Sequence, residues 1–320
     1  MKMIIMIILI IAIFIVVVAF FVNALYKRTN AYRNQFVDVR KFSAKDGVSD
    51  NLEIVNIGSN HSKYGFDYTG LDVKGENWGV GPDTFEYDYL VLRKNVSHLA
   101  SGATVVISVC LLSFFLYRKK ERSFYIKYYS FLEPEDIVGY SNKEKIIDYS
   151  FPIIFHPLRL RSLIKDIKKD YCFLLKENQC KTEDELKKDA DFWINCWNRE
   201  FDIQLPSPTL TANNRNDIIQ NVRILKDMID YCLSRGLKPV IAILPVTDYL
   251  YSRFTPEFIE KYILGYIADA NKAGVPVMNY LADKRFTNPS FYINSFFFNA
   301  IGRKKFTKQF IEDLRDQSIL

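Results

Sequence analysis

A chain of 320 residues that is 49% hydrophobic and 15% aromatic can bury a sizeable core, which excludes a disordered polypeptide. Its 43 basic and 37 acidic residues are interspersed and leave a formal charge of +6, so neither a nucleic-acid-binding face nor a nucleic-acid partner is expected, whereas a membrane surface suits that balance. The five cysteines (Cys110, Cys172, Cys180, Cys196, Cys232) form no C-x-x-C pair and have no histidine at ligand spacing, so no metal, cofactor or disulfide framework is expected.

Residues 3–22 are apolar and uncharged throughout, matching the roughly 20 residues that cross a bilayer. The run ends in Phe20-Phe21-Val22-Asn23-Ala24-Leu25 without a small-x-small cleavage site, so residues 1–26 read as an uncleaved single-pass membrane anchor and 27–50 as a juxtamembrane linker. Lys27, Arg28 and Arg33 beyond the run outweigh Lys2 before it, which by the positive-inside rule favours a cytoplasmic domain.

Residues 51–320 read as one α/β domain, since strand and helix patterns alternate as in a mostly parallel sheet covered on both faces. The expected strands are 54–57, 104–109, 239–244 and 275–279. Residues 85–99 read as a helix followed by a turn at Ser101-Gly102, and the apolar run 105–116 is too short for a second span. Cys110 in that run and Cys232 on a helical stripe read as buried free thiols, while Cys172 and Cys180 have the option of pairing in an oxidising compartment.

Residues 118–210 read as a helical insertion or cap. Thr182-Glu183-Asp184-Glu185 is a capping box, followed by Leu186, Ala190, Trp193 and Trp197 at helical spacing, with the tryptophans facing a core. A helix over 217–235 carries Ile218, Val222, Leu225, Ile229 and Leu233 and stops at Gly236. Thr255-Pro256 opens the next helix, Gly274 closes it, and the last helix, 302–316, turns Phe306, Phe310, Ile311 and Leu314 inward.

Two segments carry a family resemblance. Glu53-Ile54-Val55-Asn56-Ile57-Gly58-Ser59-Asn60-His61-Ser62 resembles the first sequence block of SGNH (GDSL-type) hydrolases, where a strand ends in Gly-Asp-Ser or Gly-Ser-Ser and the third residue is the nucleophile. Residues 291–307, with Asn294, Phe297 and Gly302, resemble the last block, in which Asp-x-x-His-Leu-Asn precedes a glycine and a helix. The resemblance implies a three-layer, flavodoxin-like sheet and O-acyl or O-acetyl transfer on bacterial surface polysaccharides. It favours an extracytoplasmic domain, against the positive-inside reading. The implied partners are the membrane and a surface polysaccharide or a polysaccharide-modifying enzyme.

In that register the triad positions hold Asn60, Asn294 and Phe297. Phe297 accepts no proton, Asn294 carries no charge to steady an imidazolium, and Asn60 is no nucleophile. The resemblance thus implies a degenerate centre, a pseudoenzyme that binds a glycan or a partner. Two alternatives stand beside it. One is an active O-acetyltransferase or esterase using Ser59 or Ser62, with His61 on the same turn. The other is a structural assembly protein whose groove is filled by Phe296, Phe297 and Phe298.

Asn77 and Gly79 lie in the glycine-rich run 75–81, where Gly79 matches the family's oxyanion-hole glycine, although a plain loop explains the run equally well. Thr247 and Asp248 follow a strand and border the same groove, with a helix cap as the plainer role for Asp248. The basic and aromatic run 117–129 suits sugar stacking or lipid headgroups, or simply a solvated helix with one aromatic face. His98 and His156 read as surface or packing histidines.

Overall fold

The computed structural model describes residues 2–33, 36–44, 47–117, 121–159, 161 and 181–320. Cys172 and Cys180 fall outside the described residues, while Cys110, Cys196 and Cys232 are free thiols. The chain divides into two compact units, Met1–Lys45 with Lys120–Leu175, and Asp46–Lys119 with Lys176–Leu320. The stretch 118–210, read from sequence as one insertion, therefore contributes to both.

The first unit is built on helix α1 (Lys2–Lys27), whose Met3–Lys27 portion is long and apolar enough to cross a membrane. Its far end is tied down within the unit: Asn23 Nδ2 donates to the Ser150 carbonyl at 3.1 Å, and the Ile153 amide donates to Asn23 Oδ1 at 3.2 Å. The basic and aromatic run, for which a solvated helix is one reading of the sequence, is folded inward here. Arg122–Tyr125 and Ile126–Ser130 form short helical turns, with Phe124, Tyr125, Ile126, Tyr128 and Tyr129 all buried. Glu144 accepts from both the Tyr125 and Tyr129 hydroxyls, which satisfies two polar tips that burial would otherwise penalise.

The second unit is α/β. Five parallel strands, β1 (Leu52–Ile57), β2 (Gly75–Asn77), β3 (Leu99–Val109), β4 (Lys238–Ile243) and β5 (Val277–Asn279), lie in the order β2-β1-β3-β4-β5. That is the flavodoxin-like order expected, with its switch point between β1 and β3. The four strands read from sequence are present. The fifth, β2, is a three-residue edge strand in the run expected as a glycine-rich loop, too short to carry an alternation.

Side chains alternate across the pleat. Ile54, Val106, Val240, Ala242 and Met278 face a cluster with Phe66, Phe286, Phe298 and the inward residues of the last helix, α6 (Ala300–Asp316). Val55, Val105, Ile107, Ile241 and Ile243 are equally buried on the other face. There α3 (Phe85–Asn95) meets β1, and α5 (Ala212–Ser234) meets both α3 and β4. Both faces are covered, as a parallel sheet requires.

Four readings need correction. The expected helix over 85–99 ends at Asn95, and β3 already begins at Leu99. Ser101-Gly102 is no turn between elements but lies inside β3 at an irregularity: between the pairs Leu52/Leu99 and Ile54/Thr104, β1 advances two residues and β3 five. Gly102, at φ +73°, accommodates that bend. Helix α5 starts at Ala212, where Thr211 and Asn214 form a capping box, and its buried stripe turns onto Met228 and Cys232, which leaves Leu233 outside. Helix α4 (Glu183–Phe201) begins at the expected capping box of Thr182 and Glu185, with Leu186, Ala190 and Trp197 buried but Trp193 only partly so.

Candidate functional site

The site lies where the open sheet places ligands, at the carboxyl ends of its central strands. β1 ends at Ile57, and Gly58 turns the chain at φ +138°. A Cβ there would sit 2.8 Å from Ser62 Cβ and 3.0 Å from Ser108 Cβ, so only glycine allows the following turn to pack against β3. That turn is α2 (Asn60–Lys63).

Its residues have distinct surroundings. Ser59 Oγ accepts from the Asp83 amide at 2.9 Å, tying the turn to the loop after β2. The Asn60 amide lies against Gly81, where an added Cβ would stand 1.7 Å from Asn60 Oδ1. Ser62 is fully buried: it accepts from Asn56 Nδ2 at 2.8 Å, faces Ser108 Oγ at 2.8 Å and donates to the Ile57 carbonyl at 3.1 Å. A hydroxyl so enclosed offers no surface to an incoming carbonyl.

His61 points the other way. Its Nε2 lies 3.2 Å from the Pro245 carbonyl, an acceptor, so Nε2 carries the proton and Nδ1 is bare. Nδ1 is buried and, among the described residues, has no hydrogen-bond partner. Burial holds the imidazole pKa down to about 4, with the bond to Pro245 pulling weakly the other way. The ring is thus a neutral, apolar-faced plate at neutral pH.

The last sequence block covers that plate. Phe296 lies 4.6 Å and Phe297 6.3 Å from the His61 ring, and Phe297 also lies 5.3 Å from Tyr64. From α4, Trp193 meets both phenylalanines at 5.3 and 5.6 Å, and Trp197 meets Phe296 at 5.2 Å. The two distant segments carrying the resemblance therefore meet. Phe298, grouped with its neighbours as groove filler from sequence, instead packs in the sheet core.

Asn294 shapes this loop from its own side chain: its Oδ1 accepts from the Phe296 amide at 2.9 Å and the Phe297 amide at 2.7 Å. Sequence reasoning missed the loop's second support. Asp189 of α4 accepts from the Ser295 amide and hydroxyl at 2.8 and 2.7 Å and pairs with Lys181 at 2.6 Å. Burial opposes ionisation of Asp189, but the bonds from Lys181 and Ser295 outweigh it and hold the carboxyl below its ordinary value. No motif linked residues so far apart.

The remaining expected site residues support the scaffold. Asn77 is saturated: Oδ1 accepts from Asn56 and from the Gly79 amide, and Nδ2 donates to the Lys63 and Phe66 carbonyls. The Gly79 amide is thereby occupied, and a Cβ at Gly79 would stand 2.6 Å from the Lys63 nitrogen. Thr247, not Asp248, caps the short helix Asp248–Tyr251, and Thr247 bonds the Ser295 carbonyl through its amide and hydroxyl at 3.1 and 2.9 Å. Asp248 is exposed, 4.0 Å from Lys284. Among the described residues no group of three or more His, Cys, Asp or Glu side chains is arranged to hold a metal ion.

No family model matches this chain, and no curated protein sequence is significantly similar to it. Among solved structures, a crystal structure described as a "putative acylhydrolase" from Bacteroides fragilis aligns over 87% of this chain and 94% of its own, with 10% identity and a TM-score of 0.39. At that identity and score the chemistry of the site is read from its own residues.

Proposed function

We propose that this protein is a membrane-anchored, SGNH-like α/β protein in which the acyl-transfer centre has become a binding site. It would serve bacterial surface-polysaccharide assembly or O-acylation from the extracytoplasmic side, by holding a glycan or a partner enzyme. The observation that carries this reading is the aromatic cover over His61. Phe296 and Phe297 occupy the space where a catalytic imidazole and its substrate would meet, and the one histidine beside them is neutral and faces ring carbons. Half-buried Trp193 and Tyr64 at the rim of this cluster are the kind of surface on which sugar rings stack. The apolar helix α1 supports the tether, and the resemblance of the two sequence blocks supports the polysaccharide setting.

Serine-reactive fluorophosphonate labelling of the full-length protein, with an arylacetate esterase assay, tests this. The expected result is no labelling and no turnover above the uncatalysed rate. Labelling that Ser59→Ala abolishes would replace the proposal with an active acyltransferase.

A further inference from the structure

At the end of α1 the first unit holds a cleft of about 250 Å³, whose lining includes Lys27, Tyr32, Arg33, Arg40, Ser130 and Tyr149. Among the described residues, three that line it are cationic and none is acidic. Lys27 is half-buried, with its ammonium 5.5 Å from the centre of the Tyr32 ring and 5.2 Å from that of Tyr149. Among the described residues none of the three cations has a carboxylate partner. Unneutralised cations around a concavity favour an anion. Two guanidinium groups supply the forked donors that match phosphate oxygens, and the tyrosines lower the cost of holding the ammonium partly out of water.

The position of the cleft selects the anion. Lys27 lies five residues beyond Val22, the end of the uncharged apolar run. At about 1.5 Å per residue that is about 7 Å along the helix, comparable to the depth of the headgroup layer outside the hydrocarbon of a bilayer. Tyrosine and basic side chains at that level are the usual interfacial anchors. We infer that this cleft binds a phosphate group, and that the phosphate is borne by an anionic phospholipid of the membrane that α1 enters.

The test is lipid selectivity of the full-length protein in phosphatidylcholine vesicles, read from the motionally restricted fraction of spin-labelled lipids by electron paramagnetic resonance. Spin-labelled phosphatidylglycerol should be preferred over spin-labelled phosphatidylcholine by about fivefold at low salt, and the preference should shrink in high salt. It should fall towards unity in the combined Lys27→Gln, Arg33→Gln, Arg40→Gln variant and be only partly reduced in the charge-preserving Lys27→Arg, Arg33→Lys, Arg40→Lys variant, which keeps the charge but loses the two forked donors. No preference in the wild type, or an undiminished one in the neutralised variant, overturns the inference. Calorimetric titration of the detergent-solubilised protein with inorganic phosphate separates the two sources. Millimolar phosphate binding without any lipid preference would overturn the lipid assignment.

Discussion

The His61 and Phe296 rings lie 4.6 Å apart at 34° to each other, joining the turn after β1 to a loop more than two hundred residues later. The contact suits a neutral imidazole, whose aromatic face packs on the phenyl ring. Protonation would place a charge in a buried, ring-lined space with an acceptor only at Nε2.

His61 therefore makes stability depend on pH in a defined window. Its folded pKa of about 4 lies below the ordinary 6.5, so its contribution is complete above about pH 6.5 and is lost as pH falls towards 4. The full loss is about 3 kcal/mol. Urea unfolding between pH 7.5 and 4.5 should show this slope, and His61→Phe should flatten it. An unchanged slope in the variant would mean that other groups carry the acid sensitivity.

Ser62→Ala should cost about 1 to 3 kcal/mol, because it leaves an Asn56 amide proton and the Ser108 hydroxyl short of a buried partner. Ser59→Ala, losing one acceptor on a half-buried turn, should cost less. Thermal melts of the two variants give the order, and an equal effect would contradict the burial argument.

Asp189→Ala should loosen the loop over His61 without unfolding the sheet, since it frees the Ser295 amide and hydroxyl and Lys181 together. Hydrogen exchange over residues 293–298 should accelerate while β1, β3 and β4 keep their protection. The wild-type loop should show the same loosening as pH falls through and below the ordinary carboxylate range, because the folded carboxyl is held below its ordinary value and the stabilisation is present only while it is ionised.

Asn60→Ser, Asn294→Asp and Phe297→His in one chain should produce weak esterase turnover, whereas each single change should produce none, because triad members act as a unit. The loop should tolerate the second change, since an aspartate oxygen can accept the same two amides that Asn294 Oδ1 accepts. A single variant with measurable turnover would contradict this account of the site.

Deleting residues 2–22 should abolish membrane partition at high salt and resistance to alkaline extraction while sparing Asn23 and Tyr26, which are buried within the first unit. Retention that survives both high salt and alkali would require a second hydrophobic attachment.

The sequence by itself determined the parts that repeat locally. The 3.6-residue stripe of α6, the capping box at Thr182, the apolar strands β1, β3 and β4, and the uniform run in α1 all depend on neighbours within a few turns or a few residues. It also paired the first and last blocks through their resemblance, and Phe297 does meet Tyr64 and His61. What only the tertiary structure decided was which polar groups find partners and which surfaces close. Ser62 and His61 are neighbours on one turn, yet one is sealed into a network with Asn56 and Ser108 while the other faces Phe296. The three residues of β2 and the Asp189–Ser295 bond depend on partners well separated in sequence, and no local period encodes contacts made across such distances.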